Sequence, residues 1–416
     1  MDKIRLDHKA LVLGRISLVR SLGREGIEVV IARESEFVFE RASRYCNDFI
    51  LMPSLPSKTN EALNVLERFG ARQKKKPVAF FNGESDVLLF SEYRDRLSKY
   101  FEILLAPHEL ITSLINKGKF GELAIKYDLP VPNTITPKTE EECFEAASKI
   151  GYPCILKPIN QRRWHSPDIL ESIGYRKAIL INDQTELENI LNLIPSVNGS
   201  DMIQQYIPGD DPNHYDFHAY IDRNGILRGS IVGHKIRTYP IHFGQGCYTH
   251  YMDEPSVEET CMDTLNKIGY TGAANINVKR HAETGKDYIL EINPRFSLWT
   301  IFDSLCGVNL PLLQYLDSIG REIPNLKPIG LPQRWLWFGT DFKAMRAYRK
   351  RGEITLWMWL KSFFNVPGRI EHHIFAWDDP LPLLCSWWFR LLTFAYRAKM
   401  FLKRRISVLK PTGNSK

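Results

Sequence analysis

Three polar residues, Glu291, Asn293 and Arg295, stand at alternate positions near the end of the apolar segment KDYILEINPR. Because side chains of a strand alternate between its two faces, these three point to the same side of a sheet. Such a face needs a charged partner, since unpaired buried charge is too costly to keep. Carboxylate and amide oxygens suit Mg²⁺, which leaves its other positions to water and nucleotide phosphates. The alternative is an exposed strand end with a salt bridge.

Three lysines upstream stand beside apolar segments. Lys157 follows a short apolar strand and precedes a proline, which ends the strand and restricts the lysine backbone. Lys117 stands before the apolar face of a helix predicted over residues 116–128, and Lys177 opens the apolar segment KAILI. An ammonium group at the end of a strand can bind phosphate as a point charge. The alternative for each is a solvated lysine.

A second basic group follows a predicted hairpin over residues 216–235, whose turn is Asn224–Gly225, a strong hairpin signal. The hairpin leads to Lys235 and Arg237, which strand spacing places on the same side. The glycine-containing loop 244–246 follows them. This arrangement predicts a site for anionic groups of a substrate. The alternative is a solvated edge strand that carries lysine against aggregation.

The elements that position these residues begin with a βαβ pattern. Residues 9–14 and 27–32 are predicted strands and residues 15–26 the helix between them, which indicates a parallel sheet. The G-x-G-x-x-G spacing is missing after the first strand, which argues against NAD. A further strand at 77–82 leads into the polar cluster 83–86, at the strand end where open α/β sheets bind ligands. The alternative is that these carboxylates only cap the following helix.

Five short segments occur in order: NKGKF (116–120), LPVPNT (129–134), PCILKP (153–158), IQQYIPGDD (203–211) and LEINPR (290–295). Their order and spacing resemble the ATP-grasp superfamily, and within it the carboxylate–amine ligase branch that contains D-aspartate ligase. The resemblance covers residues 8–320. It implies an α/β fold with a Rossmann-like domain at 1–112 and a two-lobed ATP-grasp domain at 113–325, with the lobe hinge near 204–211. Residues 326–416 would form a basic amphipathic C-terminal extension.

The resemblance also implies a role for each residue of the predicted site. ATP phosphates would be bound by Lys117, Lys157 and Lys177. Adenine and ribose would be bound by Gln204, Tyr206, Ile207 and Asp211, with Asp210 as an alternative to Asp211. Mg²⁺ would be bound by Asn277, Glu291 and Asn293. The reacting phosphoryl and carboxyl groups would be contacted by Arg295, Lys235 and Arg237.

The sequence departs from the family pattern in three places. Gln204 stands where a glutamate usually accepts from the adenine amino group, and a glutamine oxygen can also accept. Asn277 stands where an acidic residue usually binds metal, which predicts weaker or fewer metal ions. Residues 160–166 contain no glycine, although many relatives close a glycine-rich loop over the phosphates there.

The activity implied is ADP-forming ligation of a small carboxylate to an amine through an acyl phosphate. Two alternatives stay open. One is an ATP-grasp carboxylase that activates bicarbonate, which would share every ATP-binding residue. The other is a protein that binds ATP without turnover, which the changes at Asn277 and at 160–166 would favour.

Composition and charge bear on location. The seven cysteines show no C-x-x-C pair, and no run of eighteen apolar residues occurs, so a cytoplasmic protein is expected. From Leu331 onward there are 16 lysines and arginines against 5 acidic residues, with seven of the nine tryptophans. Segment 380–405 places Arg390, Arg397 and Arg404 on one helical face and apolar residues on another.

That pattern predicts a helix lying peripherally on an anionic membrane surface, at the inner face of the plasma membrane. The alternative is a helix packed on the protein body. No nucleic-acid motif is present, so no nucleic-acid partner is expected. A membrane-bound extension would also suit a lipid-linked cell-envelope or glycan precursor as substrate.

Overall fold

The computed structural model describes residues 6–194, 199–330, 333–389 and 391–393. The strands are β1 (Ala10–Leu13), β2 (Val29–Arg33), β3 (Cys46–Leu51), β4 (Val78–Phe81), β5 (Thr134–Ile135), β6 (Cys154–Pro158), β7 (Ile179–Ile181), β8 (Asp201–Gln205), β9 (His214–Ile221), β10 (Leu227–Tyr239), β11 (Gln245–Tyr251), β12 (Gly272–Arg280), β13 (Asp287–Asn293), β14 (Gln333–Leu336) and β15 (Arg369–His372).

The α-helices are α1 (Ile16–Gly23), α2 (Thr59–Ala71), α3 (Glu84–Glu92), α4 (Arg94–Leu97), α5 (His108–Ile115), α6 (Lys117–Lys126), α7 (Glu140–Ile150), α8 (Gln161–Trp164), α9 (Pro167–Ile173), α10 (Gln184–Leu191), α11 (Pro255–Lys267), α12 (Thr300–Leu305), α13 (Leu310–Ser318), α14 (Phe338–Lys350) and α15 (Leu356–Asn365). Residues 381–389 and 391–393 are also helical.

The N-terminal sheet is parallel and has the order β3-β2-β1-β4. Strands β1 (ALVL) and β4 (VAFF) are buried throughout, as expected for a parallel sheet covered on both faces. The βαβ unit predicted over residues 9–32 is present as β1, α1 and β2. The carboxyl ends of β1 and β4 therefore lie side by side, and α3 begins directly after β4.

Two further sheets form the rest of the body. A four-stranded antiparallel sheet has the order β5-β8-β6-β7, and a seven-stranded sheet has the order β13-β12-β9-β10-β11-β14-β15. The chain passes from one sheet to the other between β8 and β9. The hairpin predicted at Asn224–Gly225 joins β9 to β10, and Gly225 has the positive φ of +79° that such a turn requires.

The C-terminal extension contributes to the seven-stranded sheet. β14 pairs antiparallel with β11, and β15 pairs parallel with β14. The extension also contacts the N-terminal sheet region, where the buried Arg20 Nε lies 3.0 Å from Asp379 Oδ2. Residues 333–379 thus join the two ends of the chain, which the sequence did not indicate.

The helix predicted within 380–405 is only partly described. Its described residues are helical, while Arg390, Arg397 and Arg404 lie outside the described residues. Among the described helices, none combines the length and apolar character needed to cross a membrane.

Candidate active site

A cleft of about 1090 Å³ lies where the three sheets meet. Its walls come from the start of α3, the start of α6, the small sheet around β6 and β8, and the strands β9, β10, β12 and β13 of the large sheet. The volume exceeds the roughly 300–1,000 Å³ usual for one small ligand. The cleft therefore has room for a nucleotide and a second molecule.

The charge in this cleft is unbalanced. Six cationic side chains line it, namely Lys117, Lys157, Lys177, Lys235, Lys279 and Arg295. Four carboxylates line it, namely Glu84, Glu92, Asp216 and Glu291. A cleft that gathers more cations than anions attracts a polyanion such as a nucleotide triphosphate.

The lysines predicted to bind phosphate converge as the sequence indicated. Lys157 Nζ donates to Gln204 Oε1 at 2.8 Å, and Lys117 Nζ donates to the Pro158 carbonyl at 2.8 Å. Each of these ammonium groups has a neutral partner in place of a carboxylate. Their charge is therefore available to an anionic ligand.

The surroundings of the lysines favour their neutral forms. Burial lowers the pKa of Lys157 to about 7, and the charge of Lys117 adds to that effect against the attraction of Glu291. Burial also lowers the pKa of Lys117 and of Lys177, with Glu291 opposing the shift in both cases. A bound phosphate would reverse these shifts, because an adjacent negative charge stabilises each ammonium.

Another wall of the cleft is formed by the end of β8 and the residues that follow it, which were predicted to bind adenine. Gln204, Tyr206 and Ile207 all line the cleft, as predicted. The Gln204 amide is held by two contacts, since its Nε2 donates to Thr134 Oγ1 at 2.8 Å while its oxygen accepts from Lys157. Lys279 Nζ lies 6.0 Å from the Tyr206 ring centroid, a contact that sequence reasoning missed.

The predicted metal ligands form one group of contacts at the end of β13. Asn277 and Asn293 both donate from Nδ2 to Glu291 Oε1, the latter at 3.2 Å. Burial would raise the pKa of Glu291, but Lys177, the bond from Asn293, Lys117 and Arg295 together lower it. Glu291 is therefore ionised at neutral pH.

The donor set of this group fits one hard cation. It offers one carboxylate and two amides, and the carboxylate and amide oxygens would hold Mg²⁺ together with phosphate oxygens of the nucleotide. In the structure the Asn277 oxygen accepts from Lys235 Nζ at 2.8 Å and the Asn293 oxygen accepts from Arg295 Nη2 at 3.1 Å. The described residues contain no group of three or more His, Cys, Asp or Glu placed to hold a metal by themselves.

Arg295 lies at the junction with the N-terminal sheet. Its Nη2 is 3.3 Å from Glu84 Oε1, and its buried Nε has no hydrogen-bond partner. Of the two carboxylates weighed in the sequence, Glu84 lines the cleft, whereas Asp86 does not. The arginine thus keeps an unused donor close to the predicted phosphate and metal groups, as a residue that binds a reacting anion requires.

Lys235 and Arg237 lie in different environments, contrary to the prediction that both face the site. Lys235 lines the cleft and pairs with Asp216 Oδ1 at 2.9 Å. Arg237 does not line it, and instead donates through Nε and Nη2 to the two oxygens of Asp341 at 2.7 and 3.0 Å. The cause is a β-bulge in β10 between the two residues, which interrupts the alternation of side chains.

Asp211, expected to bind ribose, also lies outside the residues that line the cleft. Its Oδ2 accepts from Thr238 Oγ1 at 2.9 Å and from the hydroxyl of Tyr348. Its Oδ1 lies 3.3 Å from His242 Nδ1. The carboxylate is buried among these partners, so the contacts in the structure give it a supporting role between β10 and α14. Asp210 is exposed and also does not line the cleft.

Two further cleft residues carried no signal in the sequence. His214 and Lys279 lie side by side, with Nε2 and Nζ 3.0 Å apart, and Lys279 also donates to the Gly209 carbonyl at 2.6 Å. Burial and the charge of Lys279 lower the pKa of His214 well below its usual value, so this imidazole is neutral. Both lie on strands of ordinary composition, and no local motif marks them.

The segment without glycine is anchored by its own side chains. Residues 161–164 form α8, and the Trp164 indole is buried and donates to Asp201 Oδ1 at 2.9 Å. Arg163 pairs with the same carboxylate. This start of the segment is thus attached to β8.

No family model matches the chain. The D-aspartate ligase of Enterococcus faecium is 30% identical over 297 residues, which cover 69% of this chain and 70% of that enzyme. The carbamoyl phosphate synthase large chain of Methanocorpusculum labreanum is 25% identical over 75% of this chain, but this chain matches only 29% of its length.

Solved structures share the fold. N5-carboxyaminoimidazole synthetase from Staphylococcus aureus superposes with a TM-score of 0.59, covering 78% of this chain and 80% of that one at 16% identity. L-amino acid ligase from Bacillus licheniformis superposes with a TM-score of 0.58, covering 78% of each chain at 14% identity.

Proposed function

We propose that this chain, which belongs to the carboxylate–amine ligase branch of the ATP-grasp superfamily, joins a small carboxylate to an amine. A carboxylate oxygen would attack the γ-phosphorus of ATP, the bond to the β-phosphate oxygen would break, and ADP would leave. The amine nitrogen would then attack the acyl carbon, phosphate would leave, and the nitrogen would lose a proton. The product is an amide or peptide bond.

The observation that carries this proposal is the excess of cations around Glu291. Lys117, Lys157 and Lys177 are partly buried with lowered pKa values, and among the described residues the first two hydrogen-bond to neutral groups. Burying a charge without a partner is unfavourable, so such a group is expected where a ligand of opposite charge binds. A triphosphate supplies the required negative charge, and fixed ammonium groups stabilise the charge that spreads over the transferring phosphoryl group.

The metal group and Arg295 complete the chemistry. Glu291, Asn277 and Asn293 would hold Mg²⁺, which when bound neutralises the β- and γ-phosphate oxygens. Arg295 would orient the attacking carboxylate and bind the oxyanion that forms when the amine adds. A protein catalyses phosphoryl transfer mainly by positioning the reactants and neutralising their negative charge.

The pair formed by Arg295 and Glu84 supports an amino acid as substrate. A guanidinium and a carboxylate 3.3 Å apart can bind the carboxylate and the ammonium of one amino acid. Similarity to D-aspartate ligase makes D-aspartate the first candidate. The parallel sheet beneath Glu84 would then serve as the Rossmann-like domain that the sequence predicted for residues 1–112.

We also propose that the extension lies on an anionic membrane surface at the cytoplasmic side. Four tryptophans of this region are more than half exposed, namely Trp357, Trp377, Trp387 and Trp388. Indole rings and cations together suit the interface of a bilayer. The test is co-sedimentation with vesicles of phosphatidylglycerol and phosphatidylcholine. A variant with both Trp387→Ser and Trp388→Ser should bind less, and recovery of the unmodified protein entirely in the supernatant would contradict the proposal.

A second candidate is activation of bicarbonate, which the similarity to carbamoyl phosphate synthase supports. It would use the same ATP-binding residues. The two candidates differ in what must be added to see ADP, since only the second requires bicarbonate and needs no other carboxylate.

The test of the proposed function is trapping of the acyl phosphate with hydroxylamine. Mg-ATP is offered with pools of amino acids and other carboxylates, and hydroxamate and ADP are measured together. One pool should give hydroxamate, and Glu291→Gln should abolish it while leaving the fold intact. If ADP forms only with bicarbonate, the second candidate replaces the first.

A further inference from the structure

A second cavity, of about 530 Å³, lies between the N-terminal sheet and the C-terminal extension. Residues from the N-terminal part that line it are Arg15, Phe37 and Phe39. Residues from the extension that line it are Trp337, His373, Ile374, Ser386, Phe389 and Thr393. Its volume lies within the range usual for a small-molecule site. We call it the extension cavity.

The walls of the extension cavity are largely apolar and aromatic. Phe37 and Phe389 meet edge to face with their centroids 6.0 Å apart, and the centroids of Trp337 and His373 are 4.4 Å apart with the rings tilted by 35°. Burial and the charges of Arg15 and Arg20 lower the pKa of His373 to about 3, so its ring is neutral. These walls suit the hydrocarbon or aromatic body of a ligand.

Among the described residues that line the cavity, Arg15 carries the permanent charge. Its guanidinium is about half exposed, and its Nη1 forms a long ion pair with Oε1 of the buried Glu40 at 3.8 Å. Arg15 therefore keeps donors for another anion, and a carboxylate or phosphate would bind them well. An apolar cavity that contains one cationic side chain favours the binding of an anionic amphiphile.

The extension cavity adjoins the candidate active site. Leu298 lines both cavities and follows shortly after Arg295. Asn82 supports this shared wall, since its Nδ2 donates to the Phe296 and Ser297 carbonyls while its Oδ1 accepts from the Arg15 amide at 2.8 Å. A molecule bound in the cavity thus lies beside the loop that follows the proposed catalytic arginine.

The cavity also adjoins an exposed apolar surface. Phe389 and Thr393 line it, whereas the neighbouring Trp388 and Leu391 on the same helical segment are 60% and 62% exposed. An amphiphile embedded in a bilayer could reach the cavity past this segment without exposing its chain to water, which is the costly step of moving an apolar group.

We propose that the extension cavity binds the apolar body of an anionic amphiphile whose carboxylate or phosphate pairs with Arg15. If the proposed function holds, such a molecule is the class of substrate that the ligase modifies or extends, so this second statement rests on that function. The binding itself does not.

The test uses the full-length protein, without ATP, and titrates dodecanoate and dodecyl phosphate below their micelle-forming concentrations by calorimetry. Dodecyltrimethylammonium serves as the control for charge. We expect both anions to bind and the cation to bind at least about tenfold more weakly, the effect of one charge-assisted contact. Equal binding of the cation would contradict the role of Arg15. The relative affinities of the two anions identify which head group is preferred.

Three variants separate the cavity from the exposed helix. Ser386→Trp should fill the cavity and weaken both anions at least about tenfold, and Arg15→Gln should weaken them without affecting the cation. Leu381→Ser, at an exposed position of the same segment outside the cavity lining, should leave binding unchanged. If Leu381→Ser weakens binding and the two cavity variants do not, the amphiphile adsorbs to the surface and the proposal is wrong.

The two proposals fail in different experiments. Absence of amphiphile binding in a protein that forms hydroxamate would overturn the cavity proposal alone. Absence of hydroxamate with every carboxylate pool, in a protein that binds amphiphiles as described, would overturn the ligase proposal alone. Thermal melting of each variant controls for loss of the fold.

Discussion

Two lysines of the cleft and two arginines beneath the extension have opposite kinds of partner. In the cleft, Lys157 and Lys117 have neutral partners at 2.8 Å. Beneath the extension, two buried arginines have carboxylate partners, since Arg20 lies 3.0 Å from Asp379 and Arg237 lies 2.7 Å from Asp341. The difference lies in what supplies the compensating negative charge.

That difference separates a binding site from a structural contact. A buried ion pair satisfies itself, and removing one partner leaves an uncompensated charge. Partly buried ammonium groups that hydrogen-bond to neutral groups are left without a compensating charge until a ligand binds, and the charge of Lys117 lowers the pKa of Lys157. Strand β10 contributes to both regions, since Lys235 lines the cleft and pairs with Asp216 while Arg237 lies beneath the extension and pairs with Asp341.

The largest effect should come from breaking a pair beneath the extension. Arg237→Met leaves Asp341 buried with only the Trp359 indole and the Cys247 thiol as donors, so we expect the free energy of unfolding to fall by about 3–5 kcal/mol. Urea denaturation measures this. The double variant Arg237→Met, Asp341→Leu is the control and should recover part of the loss. Full stability together with loss of ATP turnover would instead support the catalytic role predicted from the sequence.

The opposite behaviour is expected in the cleft. Lys157→Met removes a desolvated ammonium that lacks a carboxylate, so the free protein should be as stable as before or more stable. ATP affinity should fall by about 10- to 100-fold, the value of a charge-assisted contact. Calorimetry of ATP binding and thermal melting measure the two quantities, and Lys157→Arg is the matched control. If Lys157→Met were destabilised as much as Arg237→Met, the proposed difference between the cleft lysines and the arginines beneath the extension would be wrong.

Proton uptake on ATP binding gives a second test of the charge of Lys157. Because the pKa of Lys157 is about 7 in the free protein and a phosphate raises it, ATP binding at pH 8 should take up protons. The affinity for ATP should therefore decrease as the pH rises above about 7. Calorimetry in two buffers of different ionisation enthalpy counts the protons. The uptake should shrink in Lys157→Met, and equal heats in both buffers for the unmodified protein would contradict the assignment.

The smallest effect concerns the metal. Asn277→Asp adds a second carboxylate next to Glu291, and oxygen ligands with charge bind Mg²⁺ more tightly. We expect the Mg²⁺ concentration for half-maximal ADP release to fall by about threefold to tenfold, limited by repulsion between the two carboxylates. A magnesium titration of ADP release measures it, with Asn275→Asp as a nearby control. An unchanged requirement would place the metal away from Asn277.

Much of this arrangement could be predicted from the sequence. The family resemblance is confirmed by the D-aspartate ligase match, and the hairpin at Asn224–Gly225 follows from turn chemistry. The site residues around β13 converge because strand alternation and the order of five short motifs are local properties. Their roles in ATP and metal binding stay predictions.

The features that could not be predicted depend on contacts between residues far apart in the sequence. Arg237 and Asp341 are 104 positions apart, and Asp211 and Tyr348 are 137 apart. A bulge between Lys235 and Arg237 causes only Lys235 to line the cleft, and no residue type in this segment predicts the bulge. The prediction for Arg237 was based on strand spacing alone and the prediction for Asp211 on a motif match, and neither residue lines the cleft.

The most direct test of the central claim is positional isotope exchange in ATP labelled with ¹⁸O at the β–γ bridge. If the unpaired cations of the cleft serve to form an acyl phosphate, one carboxylate with Mg-ATP and no amine should scramble the label, and Lys157→Met should suppress it at saturating ATP. Arg237→Met should still scramble the label in whatever fraction remains folded. Tight ATP binding without scrambling for any carboxylate or for bicarbonate would contradict the account, because the cleft would then hold ATP without using it.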